Sequence, residues 1–298
     1  MKPLCIIGPT AIGKTAFSLK LAEKLSLEII SADSMQIYRH MDIGTAKPSP
    51  KERAIAPHHL IDILDPDENY SAFDFAKEAK RLIKKIQKAN KTPLIVGGTG
   101  FYLNTLFSGL SFTKAPPNLK LRSKLDNFSS EDLHYRLHKL DPQTAEKIHL
   151  NNKKKLIRAL EICISTKEKL SKQVKQSNQE EQFHIIGITS NRETIYENIE
   201  TRVDKMFDLG LLSEIEGLLD RGYNEKLQSM QALGYKESIA YIKGHPDISS
   251  LKDLKELIKK RTRNFAKHQL TWFKRFKTVK WIRVENINEY IINSYYKY

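Results

Sequence analysis

The 298-residue sequence predicts an α/β fold in which a parallel sheet is flanked by helices. Three observations support this. Short apolar runs, typical of strands buried on both faces, occur at 4–7, 94–96 and 183–188. Segments with helical spacing separate the runs, which favours right-handed crossovers between parallel strands. Polar motifs follow several strand ends, the edge at which such sheets bind ligands.

The first strand leads into GPTAIGKT at 8–15, which fits the phosphate-binding pattern G-x-x-x-x-G-K-[ST]. A helical pattern follows at 16–25. In this motif backbone N–H groups and the helix N-terminus bind an anion, while Lys14 adds a charge and Thr15 can reach Mg²⁺. The predicted fold is therefore P-loop NTPase-like. The motif indicates that the protein binds a chain of phosphates, but it does not show whether that chain belongs to ATP.

Two further strand ends carry candidate catalytic groups. The second strand, 28–32, leads to Asp33, which could accept a proton from a nucleophile or could cap a turn. A helix at 72–89 precedes the strand at 94–96, which ends in Gly97-Gly98-Thr99. Enzymes of ATP chemistry commonly have an Asp there. The Thr99 hydroxyl could donate to a phosphate oxygen or could cap the next helix.

The pattern changes at residue 114, where residues 115–118 are predicted to form a linker. Leucine-rich stripes then predict short helices, and helices are also expected at 195–219 and 251–276. The stripes of the short helices are Leu133, Leu137 and Leu140, then Leu156, Ala159, Leu160 and Ile164. We therefore predict a P-loop-like catalytic core of residues 1–113 and 183–298 with a helical insertion at 114–182.

The formal charge of +15 is concentrated in two regions. Residues 114–190 carry +6 and residues 251–298 carry +9, so the rest of the chain is neutral overall. Such regions attract a polyanion such as nucleic acid, although solvated lysines would give the same count. The basic clusters are Lys153, Lys154, Lys155 and Arg158, then Lys259, Lys260, Arg261, Arg263, Lys267, His268, Lys274, Arg275 and Lys277.

The sequence argues against a membrane-spanning protein, a signal peptide, a disulfide-bonded protein and a metal site built from histidines. No apolar run is long enough to cross a membrane, and Gly8 and Pro9 interrupt the short apolar start. Cys5 and Cys163 lie far apart in apolar surroundings, which predicts reduced thiols and a cytoplasmic location. The nine histidines show no metal-ligand spacing.

The motifs, taken in order, resemble the tRNA dimethylallyltransferase family, also called IPP transferases. The resemblance covers essentially the whole chain. It rests on GPTAIGKT, SADSMQIYRHMDIGTAKP, HHLIDILDPDENYSAFDF, LIVGGTGFYL, RALEI, RVDKMFDLGLLSEI, QALGYKE and KRTRNFAKHQLTWFKR.

The resemblance implies transfer of the dimethylallyl group from dimethylallyl diphosphate to N6 of adenosine 37. The substrates would be tRNAs that read codons beginning with U, and the products N6-dimethylallyladenosine (i6A37) and diphosphate. It further implies Mg²⁺ as cofactor, the tRNA anticodon stem-loop as partner, a tRNA-binding role for the insertion, and a monomer. No phosphoryl group is transferred in this reaction. The Asp that enzymes of ATP chemistry commonly have after the strand at 94–96 would therefore have no γ-phosphate to act on.

The same resemblance implies roles for individual residues. Asp33 would be the general base, Thr99 would contact the breaking C–O bond, and Arg202 would clamp the diphosphate. The implied diphosphate-binding residues are Gly8, Pro9, Thr10, Ala11, Ile12, Gly13, Lys14, Thr15, which also reaches Mg²⁺, and Arg202. The implied tRNA-binding residues are Asp33, Ser34, Met35, Gln36, Thr99, Lys120, Arg122, Lys154, Lys155, Leu156, Ile157, Arg158, Gln231, Gly234, Tyr235, Lys236, Lys267, Gln269, Trp272 and Lys274. Ile12, Lys120 and Gln231 depart from the family's usual residues.

Two other functions fit parts of the pattern. A P-loop kinase of small molecules or nucleotides would share the loop and the acid after a neighbouring strand, but the ending GGT and the basic regions argue against it. A non-catalytic RNA-binding protein would not need the intact Lys14 and Thr15.

Overall fold

The computed structural model describes residues 2–108, 118–173 and 179–287. The chain divides into two compact units, one combining Met1–Leu106 with Gln179–Tyr298 and the other formed by Phe107–Asn178. The predicted insertion, 114–182, begins and ends a few residues later than the smaller unit. Residues 115–117 of the predicted linker lie outside the described residues.

The larger unit contains one parallel sheet with the strand order β3-β2-β4-β1-β5-β6. The strands are β1 (Leu4–Ile7), β2 (Leu27–Ser31), β3 (His58–His59), β4 (Thr92–Gly97), β5 (His184–Thr189) and β6 (Lys280–Arg283). The sequence does not predict β3 and β6. The first has only two residues, and in the second only Ile282 is buried, so neither carries an apolar run.

The strand order explains how distant motifs meet. β2, β4 and β1 are neighbours, and Ile7 pairs with Gly97 while Ser31 pairs with Val96. The loops that follow these three strands therefore leave the sheet side by side at its carboxyl edge. This is the edge at which α/β sheets bind ligands.

Helices cover the sheet and build the smaller unit. In the described residues they are α1 (Lys14–Ala22), α2 (Pro50–Ile55), α3 (Ala72–Lys88), α4 (Gly100–Phe107), α5 (Leu119–Asp126), α6 (Ser130–Leu140), α7 (Pro142–Ala145), α8 (Lys153–Thr166), α9 (Leu170–Gln173), α10 (Arg192–Asp208), α11 (Leu211–Asp220), α12 (Tyr235–Ile242) and α13 (Leu251–Phe273). None of these helices is both long and apolar enough to cross a membrane.

The single helix predicted at 195–219 is two helices, α10 and α11. Gly210 separates them with φ of 94°, which a right-handed helix does not contain. The break lets α11 pack in a second apolar cluster of the larger unit, apart from the sheet core. That cluster includes Ile37, Tyr38, Met41, Met206, Leu211, Ile215, Leu218, Met230 and Tyr235.

The smaller unit has an apolar core of its own. Leu133 and Leu137 of α6 pack with Leu156 and Leu160 of α8, as the leucine spacing predicts. Leu140 and Ile164, predicted in the same stripes, are instead exposed. At the end of α6 the buried residue is Asp141, whose carboxylate accepts hydrogen bonds from Thr144 and Ser171. At this end of α6 the buried contacts are therefore hydrogen bonds to a carboxylate, and not the leucine packing that the stripe predicts.

Candidate active site

The phosphate loop, residues 8–15, leaves the buried strand β1 and enters α1. The Lys14 ammonium donates hydrogen bonds to the carbonyls of Gly8 at 3.0 Å and Pro9 at 2.8 Å. Its charged end therefore lies against the loop. In this loop Gly8, Pro9 and Ile12 are buried, Thr10, Ala11, Lys14 and Thr15 are half-buried, and Gly13 is exposed. Ile12, unusual for the family, packs into the sheet core.

Two cations and one carboxylate lie close together beside this loop. Burial and, to a lesser extent, the Arg202 guanidinium together lower the pKa of Lys14 to about 7, with Asp33 partly opposing the shift. Burial also lowers the pKa of Arg202, again opposed by Asp33. Positive groups held away from water destabilise each other, so an anion bound between them would relieve that repulsion. Perturbed groups of this kind are typical of functional sites.

Asp33 follows β2 after one intervening residue and is half-buried. Its Oδ1 accepts a hydrogen bond from the Met35 backbone N–H at 2.9 Å. The turn-capping role is therefore present in the structure. A carboxylate has about four acceptor positions, so this bond leaves acceptor capacity for a substrate proton.

Thr99 connects two of the loops at the sheet edge. Its Oγ1 accepts from the Ser34 backbone N–H at 3.0 Å and lies 3.3 Å from the Ser34 hydroxyl. Its own N–H donates to the Ala32 carbonyl at 3.2 Å. The Thr99 hydroxyl, for which the sequence leaves open a phosphate contact or a cap of α4, holds the turn that contains Asp33. The two predicted catalytic residues are thus joined through Ser34.

Steric contacts account for the glycine pair before Thr99. A Cβ on Gly97 would lie 2.2 Å from the Ala32 carbonyl oxygen, and one on Gly98 would lie 2.4 Å from the Gln269 amide nitrogen. Both separations are far below a normal contact. The strand ends in two glycines because other chain segments pass directly over it.

Gln269 of α13 is a site residue whose position the sequence did not reveal. Its Oε1 accepts from the Thr10 N–H at 2.8 Å, and its Nε2 donates to the Gly98 carbonyl at 2.8 Å. The side chain is buried, although it was predicted to contact tRNA. A signal existed in the spacing, because Gln269 continues the buried face of Leu254, Ile258, Thr262, Ala266 and Phe273.

The segment after Asp33 is held by polar contacts, most of them partly buried. Gln36 accepts from the Ser31 hydroxyl at 3.1 Å. Glu214 accepts from the backbone N–H groups of Asp42 and Ile43 at 2.8 and 2.7 Å, and of Gly44 at 3.2 Å. The Tyr235 hydroxyl also donates to Glu214, at 2.5 Å. Residues 33–47, of which Ser34, Met35 and Gln36 are half-buried, therefore form a braced segment beside the site.

The predicted tRNA-binding residues fall into three groups. Exposed side chains belong to Lys120, Lys154, Lys155, Gln231, Lys236, Lys267 and Lys274. Within the smaller unit, Arg122 and Arg158 both form ion pairs with the fully buried Glu161, at 3.0 and 2.5 Å. In the larger unit, half-buried Trp272 packs over Gly100, and the Arg275 guanidinium lies 4.7 Å from its ring centre. The exposed side chains are fully accessible to a polyanion. Arg122 and Arg158 are only partly accessible, because they already pair with Glu161.

Five other residues of that set are buried, whereas Asp33, Ser34, Met35, Gln36 and Thr99 beside the phosphate loop are half-buried. Leu156 and Ile157 pack in the core of the smaller unit, and Tyr235 packs in the second cluster of the larger unit. Gly234 is likewise buried. Their side chains, like that of Gln269, do not present a surface to RNA in this structure. We therefore assign Leu156, Ile157 and Tyr235 to supporting the fold, because their side chains pack in these clusters.

The described residues contain no group of three or more His, Cys, Asp or Glu side chains that could hold a metal ion. His58 and His59, adjacent in sequence, bond to different partners, the Ala56 carbonyl and Glu28.

Comparison with known proteins gives a consistent result. A family model described as IPP transferase matches residues 36–276. A tRNA dimethylallyltransferase of Carboxydothermus hydrogenoformans is 45% identical over 98% of this chain and 97% of its own length. One of Pelotomaculum thermopropionicum is 44% identical, with 96% and 92% covered.

Solved structures agree. A tRNA isopentenylpyrophosphate transferase from Bacillus halodurans superposes with a TM-score of 0.73 at 38% identity, covering 99% of this chain and 97% of that one. A eukaryotic dimethylallyltransferase described as acting on tRNA gives a TM-score of 0.84 at 28% identity, covering 100% and 77%. The P-loop-like sheet, the braced segment after Asp33 and these likenesses together place the chain in the IPP transferase family.

Proposed function

We propose that this chain is a tRNA dimethylallyltransferase that transfers the dimethylallyl group of dimethylallyl diphosphate to N6 of adenosine 37. The tRNAs would be those that read codons beginning with U. The observation that carries the proposal is that Asp33 lies close enough to Lys14 of the phosphate loop to affect its charge. A base for a nucleophile and a cradle for an anionic leaving group meet at one edge of the sheet.

The diphosphate is the part of the substrate that the phosphate loop suits. Its charge would be neutralised by the loop N–H groups, Lys14 and Arg202, which makes it a better leaving group. The allylic C–O bond breaks with its electron pair on the diphosphate, and the N6 lone pair forms the new C–N bond. Positive charge develops on the allylic carbon and negative charge increases on the diphosphate oxygens. The loop N–H groups, Lys14 and Arg202 would act on those oxygens.

Asp33 would take the proton that N6 loses. Its bond to Met35 fixes the orientation of the carboxylate, and Thr99 holds the same turn through Ser34. An adenine in a stacked loop is out of reach, so the base must be extruded, as in other enzymes that modify bases. The carboxylate of Asp33 would stay in place, and the extruded adenine would be brought to it.

Thr15 suits a Mg²⁺ ion that arrives with the diphosphate. Mg²⁺ commonly binds one or two protein oxygens together with phosphate oxygens and waters, so a hydroxyl at the start of α1 is a fitting donor. The ion would supply additional charge neutralisation to the leaving group. The described residues offer this hydroxyl and no carboxylate cluster, which agrees with binding as a metal–diphosphate complex.

Exposed lysines would provide the phosphate contacts for the anticodon stem-loop. Lys154 and Lys155 lie on α8 of the smaller unit, while in the larger unit Lys267 lies on α13 and Lys274 is the residue that directly follows this helix. Contacts to phosphates position a nucleic acid without reading its sequence. The choice of adenosine 37 would depend on the segment 33–36 instead.

The test is to incubate the protein with Mg²⁺, radiolabelled dimethylallyl diphosphate and an unmodified anticodon stem-loop. We expect label in the RNA, and none in a matched RNA with guanosine at position 37. ATP turnover without labelled RNA would instead support the P-loop kinase. RNA binding with neither reaction would support a non-catalytic RNA-binding protein.

A further inference from the structure

Gln269 is a polar residue on the buried face of a long helix. It is 6% exposed, and the residues above and below it on this face of α13 are Ala266 and Phe273. A buried amide costs free energy unless its polar atoms are hydrogen-bonded. Its presence on this face therefore calls for a reason beyond packing.

The two hydrogen bonds of Gln269 join loops that are distant in sequence. The Thr10 N–H and the Gly98 carbonyl are 259 and 171 residues away, and both bonds are 2.8 Å long. One partner is a donor and the other an acceptor. A neutral amide, with its oxygen towards Thr10 and its nitrogen towards Gly98, satisfies both, whereas an ionised carboxylate or an ammonium group could satisfy only one.

These contacts reach both halves of the site. Thr10 lies within the phosphate loop, and Gly98 immediately precedes Thr99, which holds the Asp33 turn. A Cβ on Gly98 would collide with the Gln269 amide, so any side chain at position 98 would displace this amide from its place. The loop and the turn are thus set in place by one side chain.

We infer that Gln269 is a positioning residue for the diphosphate, rather than a contact for tRNA. The inference rests on the proposed function, since it assigns the anion of that reaction to the phosphate loop. With Gln269 in place, the loop amides and Thr99 are arranged before the substrate binds, and preorganised donors bind an anion most effectively. Both polar ends of the side chain are already engaged inside the protein.

The first test replaces Gln269 by methionine, which keeps the length of the side chain and removes both hydrogen bonds. The Kd for inorganic pyrophosphate with Mg²⁺ and the KM for dimethylallyl diphosphate should each rise about 5- to 100-fold. The Kd for the anticodon stem-loop should stay within about twofold of the wild type. Asn264→Met, at an exposed amide of the same helix, should leave the pyrophosphate Kd unchanged.

The second test, Gln269→Glu, separates positioning from loss of stability. The ionised carboxylate would repel the Gly98 carbonyl, whereas the protonated form could donate to it and still accept from Thr10. The ratio of the variant's pyrophosphate Kd to that of the wild type should therefore fall as pH is lowered from 8 to 6. A role in stability alone would not produce this return of affinity.

The inference is overturned if Gln269→Met weakens stem-loop binding while the pyrophosphate Kd is unchanged or improved. It is also overturned if the Kd ratio of Gln269→Glu does not change with pH. Failure of the proposed function gives a different result, because the wild-type protein itself would then not transfer label to RNA.

Discussion

Asp33 combines two roles in one side chain, since one oxygen caps a turn and the carboxylate remains able to accept a substrate proton. Asp33→Asn keeps an oxygen for the Met35 N–H and removes the basic group. We expect the single-turnover rate of prenyl transfer to fall about 10²–10⁴-fold. The Tm and the tRNA affinity should remain close to those of the wild type.

Asp33→Ala is the comparison for this variant, because it removes the turn bond as well. It should lose activity and also some thermal stability. A rate near that of the wild type for Asp33→Asn would reduce Asp33 to a turn residue.

Lys14 is predicted to take up a proton when the diphosphate binds. Its pKa of about 7 in the free protein lies below that of an ordinary lysine, so much of it is neutral at pH 8. A bound anion favours the charged form and raises the pKa, hence up to about one proton enters the complex. At pH 6 the lysine is already charged and the uptake should be smaller. Calorimetry in buffers of different ionisation enthalpy measures it.

Lys14→Met should remove this uptake, while Lys20→Met, an exposed lysine on the same helix, should retain it. Subtracting the variant from the wild type cancels any protons gained by the diphosphate itself. Equal uptake by Lys14→Met and the wild type would show that another group carries the proton.

At the scale of elements, α11 braces the segment after Asp33. Glu214 accepts three backbone N–H groups and the Tyr235 hydroxyl, so Glu214→Ala leaves four donors without their acceptor. We expect a loss of about 2–3 kcal/mol in the free energy of unfolding, measured by urea denaturation. Tyr235→Phe removes only one of the four bonds and should cost about 1 kcal/mol.

This difference tests whether the carboxylate acts mainly on the backbone of 42–44. Equal losses in the two variants would mean that the Tyr235 bond alone matters. A loss below about 0.5 kcal/mol for Glu214→Ala would mean that the segment is held by its apolar contacts.

The long helix α13 shows that a count of charges overstates its basic surface. As far as residue 263 the helix is partly neutralised, because Lys259 pairs with Asp204 at 3.0 Å and Arg263 with Glu200 at 3.0 Å. Among the described residues, no carboxylate forms an ion pair with Lys267, nearer the C-terminal end of the helix, or with Lys274, which directly follows it. The basic surface is therefore concentrated at the end of the helix that also carries Gln269.

For the whole molecule, binding to tRNA should reflect this distribution. Removing a lysine that contacts a phosphate reduces the slope of log K against log salt by roughly 0.7–0.9. The double variant Lys267→Ala, Lys274→Ala should therefore flatten the slope for the anticodon stem-loop by about 1.4–1.8. The affinity for pyrophosphate should stay near the wild-type value.

The double variant Lys259→Ala, Arg263→Ala is the matched control. It removes the same net charge from the same helix, but at positions already paired with acids. It should flatten the slope by less than half as much. If both double variants changed the slope equally, the overall field of the protein and not direct contact would govern binding.

Several features follow from the sequence alone because their causes are local. The buried strands β1, β4 and β5 are short apolar runs, and the phosphate loop is a continuous motif between a strand and a helix. Asp33 and Thr99 were identified as candidates by their position after strands, since parallel strands bring their carboxyl ends to one edge. The motifs also carried the resemblance to the family.

Only the tertiary structure revealed the residues that hold these parts together. Gln269, Glu214 and Glu161 are polar residues whose partners the sequence does not indicate, although the helical spacing of α13 places Gln269 on its buried face. The first two find their main partners about 170 to 260 residues away. Glu161 is buried because Arg122 and Arg158 neutralise it. Burial of a polar group is stable only when its partners are supplied, and those partners are brought near by folding, which no local pattern encodes.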